Sequence, residues 1–179
     1  FIMQPGEALQ LENFEPDISG GYRRISGFRK YVNAVVPHTS SSSESLLMIA
    51  NFDNKVIAAR GEKIFSSASA ELSIAIAADT SMTGSGTITV PSTLGFSSSG
   101  TLQINSEIFT YTGKTSTTFT GVTRAVSSTA AAHSKLDVVS ESWTVRDTGR
   151  TNAAKYHFER YNFDGNEKIV CVDGVNAPV

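Results

Sequence analysis

The chain has few of the residues from which common functional sites are built. Cys171 is the single cysteine among 179 residues, which excludes an internal disulfide framework and a multi-thiolate metal site in one chain. The formal net charge of −2 provides no strong overall field to attract nucleic acid or an anionic membrane. No apolar run approaches the roughly 20 residues of a membrane helix, so we expect no membrane insertion. Val170 and Val172 flank Cys171, and they predict a buried, inert thiol.

Catalytic signatures are also missing from the sequence. It contains no Gly-x-Ser-x-Gly elbow, and its many serines lie in predicted loops without a positioned histidine and aspartate. His38, His133 and His157 are far apart and belong to no His-Glu-x-x-His pattern, so a metal site would need long-range convergence. We therefore predict no catalytic residue, no metal, no cofactor and no enzymatic activity.

Three weaker motifs have structural explanations. Gly113-Lys114-Thr115 resembles the end of a phosphate-binding loop, but Ile108 stands where the earlier glycine belongs, which favours a hairpin turn. The segment 164–167 offers oxygen ligands for calcium but lacks the longer spacing of a dedicated loop, which favours a turn. His157 and Glu159 share one face of a predicted strand, where an ordinary hydrogen-bonded contact is favoured over acid-base catalysis.

The remaining pattern is that of an all-β protein. Short alternating runs are separated by Asn, Asp and Gly residues that favour tight turns. Three hairpins are predicted, with strands at 46–50 and 56–60, at 102–104 and 107–112, and at 155–161 and 167–172. The polar run from His38 to Ser43 predicts an exposed loop.

Period-two alternation in the second hairpin assigns its faces. It places Glu107, Phe109 and Tyr111 on one side of a half-buried strand. Phe119 and Val122 are expected to close the same core. Core packing is the favoured role of the three rings Phe109, Tyr111 and Phe119; a sugar-stacking platform is the alternative.

The distribution of these strands predicts an inserted domain. Residues 87–133 have almost no charge and form short strands rich in Gly, Ser and Thr, whereas the flanking sequence resembles one interrupted unit. We predict a propeller-like domain of antiparallel blades in residues 1–69 and 142–179, with a small sandwich- or barrel-like domain in residues 70–141. A single blade would bury its faces only against neighbouring blades. Because of this, and because the sequence starts at Phe1, we expect a fragment of a longer chain.

A basic group lies near the amino terminus. Arg23, Arg24, Arg29 and Lys30 could contact DNA. A subunit interface or a solvated strand edge is the favoured reading, because charged residues also block unwanted edge pairing.

Two sets of phrases resemble proteins of tailed bacteriophages. The segments 5–14 and 20–28 are similar to the start of the tail nozzle proteins of short-tailed phages, also called tail tubular protein B or DNA-stabilisation proteins, and segments 163–165 and 172–176 resemble their blade phrases. The predicted insert resembles modules of phage tail and fibre proteins, in the phrases 100–104, 107–108, 111–113, 119–124 and 132–133. Ala125 stands after Arg124 where these modules lead us to expect glycine.

The resemblance implies a virion structural protein. Copies of a β-propeller subunit would form a ring in the phage tail around the channel through which DNA is ejected, beside adaptor and fibre proteins, and the insert would face outward. A receptor- or carbohydrate-binding tail module is the alternative. A propeller glycosidase is a third class, and it would need at least two convergent carboxylates.

Overall fold

The computed structural model describes residues 14–16, 22–24, 30–39, 43–152 and 154–179. Every regular element among them is a β-strand, and all the strand pairings are antiparallel. The predicted all-β class is therefore confirmed. The chain divides into two units, Phe1–Lys30 and Tyr31–Val179. In the first unit, β1 (Phe14–Pro16) pairs with β2 (Tyr22–Arg24).

The second unit contains a four-stranded sheet that another domain interrupts. Its strands lie side by side in the order β13, β5, β4, β3. They are β3 (Leu46–Phe52), β4 (Lys55–Arg60), β5 (Lys63–Ser67) and β13 (Thr144–Asp147). Neighbours in space thus follow chain order, and everything between β5 and β13 is inserted between the third and fourth strands.

The inserted residues, 69–141, form a seven-stranded sheet that we call the half-barrel module. Its strands are β6 (Ser69–Glu71), β7 (Thr83–Thr89), β8 (Gly100–Ile104), β9 (Glu107–Tyr111), β10 (Gly113–Lys114), β11 (Thr118–Thr123) and β12 (Val138–Glu141). β9 and β10 follow one another along β11, and β7 pairs with β11 as well. The chain enters and leaves through β6 and β12, which pair with Ser69 opposite Ser140.

The half-barrel module curls around its own core. β6 and β7 lie at the two ends of its strand order, yet Ser73 N–H, just after β6, donates to the Thr89 carbonyl of β7 at 2.9 Å. The concave side holds a cluster of 14 buried apolar residues. Among them, the rings of Phe96 and Tyr111 each meet Phe119 edge-on at 4.9 Å. The module thus buries its apolar face without help from the four-stranded sheet.

A two-stranded hairpin follows β13. It consists of β14 (His157–Phe163) and β15 (Asn166–Val172). Ile169 and Cys171 of β15 pack with Met48, Ala59 and Ile64 of the four-stranded sheet. Cys171 is buried as predicted, and burial raises the pKa of its thiol.

All three predicted hairpins are present, and their turns are tight. Asp53 and Asn54 join β3 to β4 with φ of 48° and 57°, so both are in the left-handed region. Asn105 and Asp164 have φ of 53° and 50° in the other two turns. Asn and Asp tolerate this region better than most residues, which explains why the turns fall where the sequence predicts. The first turn is tighter than the predicted 51–55, because pairing extends to Phe52 and Lys55.

The segment before β3 is attached to both sheets. The Asn33 side chain donates to the carbonyls of Gln103 and Val138 at 2.8 and 2.7 Å, and Trp143 Nε1 donates to the Ala34 carbonyl at 2.9 Å. In the predicted exposed loop, His38 and Ser43 are exposed. Thr39 is half-buried, because its N–H and hydroxyl bind the Glu44 carboxylate. Residues 40–42 lie outside the described residues.

Candidate functional site

The most distinctive polar group is a buried carboxylate at the start of β9. Glu107 has no exposed surface. Arg124 Nε and Nη2 donate to its two oxygens at 2.8 Å each, and the N–H groups of Ala125 and Ala131 donate at 3.1 and 2.9 Å. His133 Nε2 lies 2.8 Å from Oε2. One carboxylate therefore joins β9 to the end of β11 and to the loop before β12.

Arg124 uses all its hydrogen-bonding capacity in this cluster. Besides its two bonds to Glu107, it donates from Nη1 to the carbonyls of Ala77 and Thr80 at 2.8 and 3.0 Å, and from Nη2 to that of Ala131 at 2.7 Å. A guanidinium has five N–H donors, and each has an acceptor here. The same guanidinium lies 5.7 Å from the centre of the Phe109 ring.

His133 completes the cluster on the side of β8. Its Nδ1 lies 3.5 Å from the side-chain amide nitrogen of Asn105, which also donates to Asp137 Oδ2 at 3.0 Å. A carboxylate can only accept, so Nε2–H donates to Glu107. Backbone bonds between His133 and Ile76 at 2.8 and 2.9 Å anchor the residue.

The electrostatics of Glu107 follow from these partners. Burial raises the pKa of this carboxyl, but the hydrogen bonds from Arg124, Ala131 and His133 outweigh burial and lower it to about 2. A carboxylate with five donors and no exposed surface has no position for a substrate. The cluster is a polar crosslink that holds one end of the half-barrel module together.

Sequence reasoning placed Glu107 on the buried face but missed its partners. Arg124 and His133 stand 17 and 26 residues further along the chain. Both occur in the phrases that resemble phage modules. The occurrence of a glutamate, an arginine and a histidine in those phrases was the signal that could have indicated contact between them.

The three rings considered as a sugar platform are in the core. Phe109 and Phe119 are 0% exposed and Tyr111 is 2% exposed. This corrects the sugar-stacking alternative, because none of the rings presents a face to solvent. Tyr111 hydroxyl donates to the Ser97 carbonyl at 2.9 Å. Burial, followed by the charge of Glu141, raises the pKa of Tyr111 well above its ordinary value.

Other motif residues have structural partners too. Gly113 and Lys114 lie in β10, and the Lys114 ammonium donates to the carbonyls of Thr93 and Phe96 at 2.8 and 2.6 Å. The turn falls slightly later than predicted, where Thr115 N–H donates to the Thr118 carbonyl at 2.8 Å. A phosphate-binding role is therefore wrong, since this lysine is occupied.

His157 and Glu159 on β14 lie on one face of the strand and in contact, as predicted. His157 Nε2 lies 3.3 Å from Glu159 Oε1, and both residues are exposed. In the part of the chain that the structure describes, no group of three or more His, Cys, Asp or Glu side chains could hold a metal ion.

Ala125 occupies a conformation that glycine favours. Its φ is 56°, and the left-handed region costs a residue with a Cβ about 1–2 kcal/mol. The turn therefore has the geometry expected of a glycine although the residue differs. Its N–H donates to Glu107, which explains why this geometry is retained.

A second polar cluster lies beside the hairpin β14–β15. Arg150 contacts Asp147 and donates to the Ala177 carbonyl at 2.6 Å. Its Nη1 lies 3.7 Å from Asp173. Hydrogen bonds from the Asn176 side chain and from the N–H groups of residues 175 and 176 lower the pKa of Asp173 to about 2. Arg150 thus joins the end of β13 to the loop that follows β15.

A cleft of about 390 Å³ opens between the four-stranded sheet and β15. Ile57, Ile64 and Ile169 give it apolar walls, and Lys55 and Arg146 lie at its polar parts. Arg146 Nε donates to Ser66 Oγ at 2.6 Å. Clefts of about 300–1,000 Å³ are the usual size of binding sites, and this one falls within that range.

The basic residues near the amino terminus are only partly described. Arg23 and Arg24 lie on β2, opposite Glu15 and Phe14. Lys30 is exposed, and Arg29 lies outside the described residues. Their role at an interface stays a prediction.

No family model, curated protein or solved structure matches the chain. The phage resemblance therefore stays a prediction drawn from short phrases. Among the described residues, no helix is long and apolar enough to span a membrane.

Proposed function

We propose that the chain is a structural protein of a phage virion, part of a tail nozzle whose copies form a ring around the DNA channel. The observation that carries this proposal is the interrupted four-stranded sheet. An antiparallel sheet whose four strands follow chain order is the repeating unit of a propeller. Here that unit is divided after β5, and the half-barrel module occupies the gap.

The way in which the module is inserted supports a decorated scaffold. Its entry and exit strands, β6 and β12, pair with each other, so the module leaves the sheet through a two-stranded stem. Residues 1–69 and 142–179 would belong to the propeller, and residues 70–141 would face outward. Insertions are tolerated where the chain ends of a module lie close together.

The buried charges favour a mechanical role over a chemical one. Glu107 and Arg124 are saturated by each other and by backbone groups, and Asp173 is saturated by its own loop. Such residues stabilise loops rather than act on a substrate. The near-neutral net charge of −2 is suited to a channel protein, since a lining rich in Lys and Arg would hold DNA through its phosphates.

The receptor- or carbohydrate-binding alternative needs exposed rings, because Phe109, Tyr111 and Phe119 are buried. Tyr161 and Phe163 are 60% and 53% exposed, and their rings lie 4.6 Å apart. Glycan binding that is lost in Tyr161→Ala would favour this alternative.

The test is to localise the protein in the virion. Antibodies raised against residues 69–141 would be applied to intact particles of the virus that encodes the chain, and the particles would be imaged by cryo-electron microscopy. We expect label at the distal tail and a symmetric ring around the channel. Label on the fibres or the capsid, with no ring, would contradict the proposal.

A further inference from the structure

The half-barrel module is joined to the four-stranded sheet by a stem with unequal strands. Ser66 pairs with Thr144 at the end of the sheet, and Ser69 pairs with Ser140 at the start of the module. Residues 67 and 68 lie between these pairs on one strand, whereas residues 141–143 lie between them on the other. An extra residue on one strand of a pair bends it and increases its local twist. The stem is therefore a point at which the module could swing.

A short segment beside this stem is bonded to the module. We call residues 33–36 the strap. Asn33 Nδ2 donates to the carbonyls of Gln103 in β8 and Val138 in β12 at 2.8 and 2.7 Å. Its backbone N–H donates to Ser140 Oγ at 3.1 Å. β8 and β12 pair with each other, so Asn33 is bonded to two neighbouring strands of the module.

The other end of the strap is bonded to the four-stranded sheet. Arg60, the last residue of β4, donates from Nη1 to the Val36 carbonyl at 2.6 Å. Between the two ends, Trp143 of the stem donates from Nε1 to the Ala34 carbonyl at 2.9 Å. Four consecutive residues therefore carry bonds to the module, to the stem and to the sheet.

A further contact lies at the opposite end of β4. Asn54, in the turn that precedes β4, touches Gly95 in the loop before β8. A Cβ added to Gly95 would lie 2.4 Å from the Asn54 carbonyl oxygen, so the two backbones meet directly. The module thus contacts the sheet on this side while the strap restrains it on the side of Arg60.

We propose that the strap holds the half-barrel module in one orientation on the four-stranded sheet, so that the two parts tumble as one rigid body. The stem alone permits bending at its extra residue, and the strap prevents it by bonding both sides of that point. The module has its own core of 14 buried apolar residues, so it stays folded when the strap is released. This inference goes beyond the proposed function and does not depend on it.

Residual dipolar couplings of the backbone N–H groups would test this orientation in solution. The couplings of the module strands and of the sheet strands β3, β4, β5 and β13 would be fitted separately in a weakly aligned, isotope-labelled sample of the whole chain. For the unmodified chain, we expect one alignment tensor to fit both parts. Two different tensors would show that the module swings and would overturn the proposal.

A strap variant identifies the cause of the fixed orientation. It carries Asn33→Ala and Trp143→Phe, which remove the side-chain donors to the module and to Ala34 but keep an aromatic ring at position 143. We expect the couplings within the module still to fit its own structure, with a smaller tensor than that of the sheet. A loss of stability alone would not produce this difference, because each tensor is measured on folded molecules. One tensor for both parts in this variant would overturn the role of the strap.

Two further variants complete the experiment. Asn166→Ala, at an exposed position on β15, is the matched control and should keep one tensor for both parts. Asn33→Ala alone keeps the Trp143 bond and should show the same difference to a smaller extent. If the double variant does not fold, this single variant decides, and one shared tensor in it would overturn the proposal.

Discussion

The half-barrel module and the four-stranded sheet bury their apolar residues to very different degrees. The module has a cluster of 14 buried apolar residues, whereas the described part of the sheet and its hairpin share a cluster of four, beside which Ala50, Val56, Ala58 and Phe65 are buried. β14 is exposed along its whole length, and Ile49 of the edge strand β3 is 61% exposed. The module buries a large core of its own, whereas β14 and part of the edge strand β3 are exposed.

The polar clusters differ in the same way. Glu107 crosslinks three separate segments of the module. Asp173 accepts hydrogen bonds from residues only two and three positions further on, and a single ion pair with Arg150 joins its loop to an earlier part of the chain. Long-range crosslinks stabilise a fold, whereas local ones shape a turn. The half-barrel module therefore has the more extensive long-range crosslink of the two.

The largest effect is expected from removal of the Glu107 charge. Glu107→Gln leaves the Arg124 guanidinium buried without a counter-charge, which costs about 3–5 kcal/mol of unfolding free energy. Urea unfolding followed by circular dichroism would measure the loss. Glu167→Gln, on an exposed site, is the matched control and should stay within about 0.5 kcal/mol. A loss below about 1 kcal/mol in Glu107→Gln would refute the crosslink.

The same carboxylate predicts how stability depends on pH. The pKa of Glu107 falls from an ordinary 4.5 to about 2 on folding. A lowered pKa in the folded state adds stability that is fully present above pH 4.5 and is lost as the pH falls toward 2. Asp173 acts in the same direction, between 3.8 and about 2. Unfolding midpoints measured from pH 6 to 2 should fall less steeply in Glu107→Gln; equal slopes would contradict this.

Substitution of one glycine in each region tests how tightly the two regions are packed. An added Cβ at Gly121, in the module, would lie 1.9 Å from Thr112 Oγ1, and φ there is +62°. Gly165, in the hairpin turn, has φ of +85° with no atom within 4 Å. We expect Gly121→Ala to cost about 2–4 kcal/mol and Gly165→Ala about 1 kcal/mol by urea unfolding. Equal losses of unfolding free energy in the two variants would show that the two sites are equally crowded.

The smallest expected effect is a gain in stability. Ala125→Gly relieves the left-handed strain but adds freedom to the unfolded chain, and the balance is a stabilisation of up to about 1 kcal/mol. Ala132→Gly, at an exposed position without a positive φ, is the control and should give no gain. Thermal unfolding would compare them. A destabilised Ala125→Gly protein would show that the turn is not strained.

Local features could be predicted from the sequence because their causes are local. The turns at Asn105 and Asp164 follow from residue preference, and the buried face of β9 follows from alternation over five residues. The pairing of Glu107 with Arg124 and His133 could not be predicted. It depends on how β9 and β11 curl toward the loop before β12, and alternation along one strand says nothing about curvature.

The cleft also could not be predicted from the sequence. Its walls come from β4, β5 and β15, and their approach depends on how the hairpin packs on the sheet. The strand order of the four-stranded sheet was partly indicated by the sequence. The predicted domain boundaries at 69 and 142 already placed an insertion between β5 and β13. The turns predicted at Asp164 and Asp173 indicated where strands end, but not which other strands lie beside them.

Hydrogen exchange measured by mass spectrometry tests the central claim most directly. The account predicts that β8, β9, β11 and β12, which enclose the core of the half-barrel module, exchange slowly. It predicts that the exposed strand β14 and the turn at Asp164 exchange much faster. Equal protection of the module and the hairpin would contradict it.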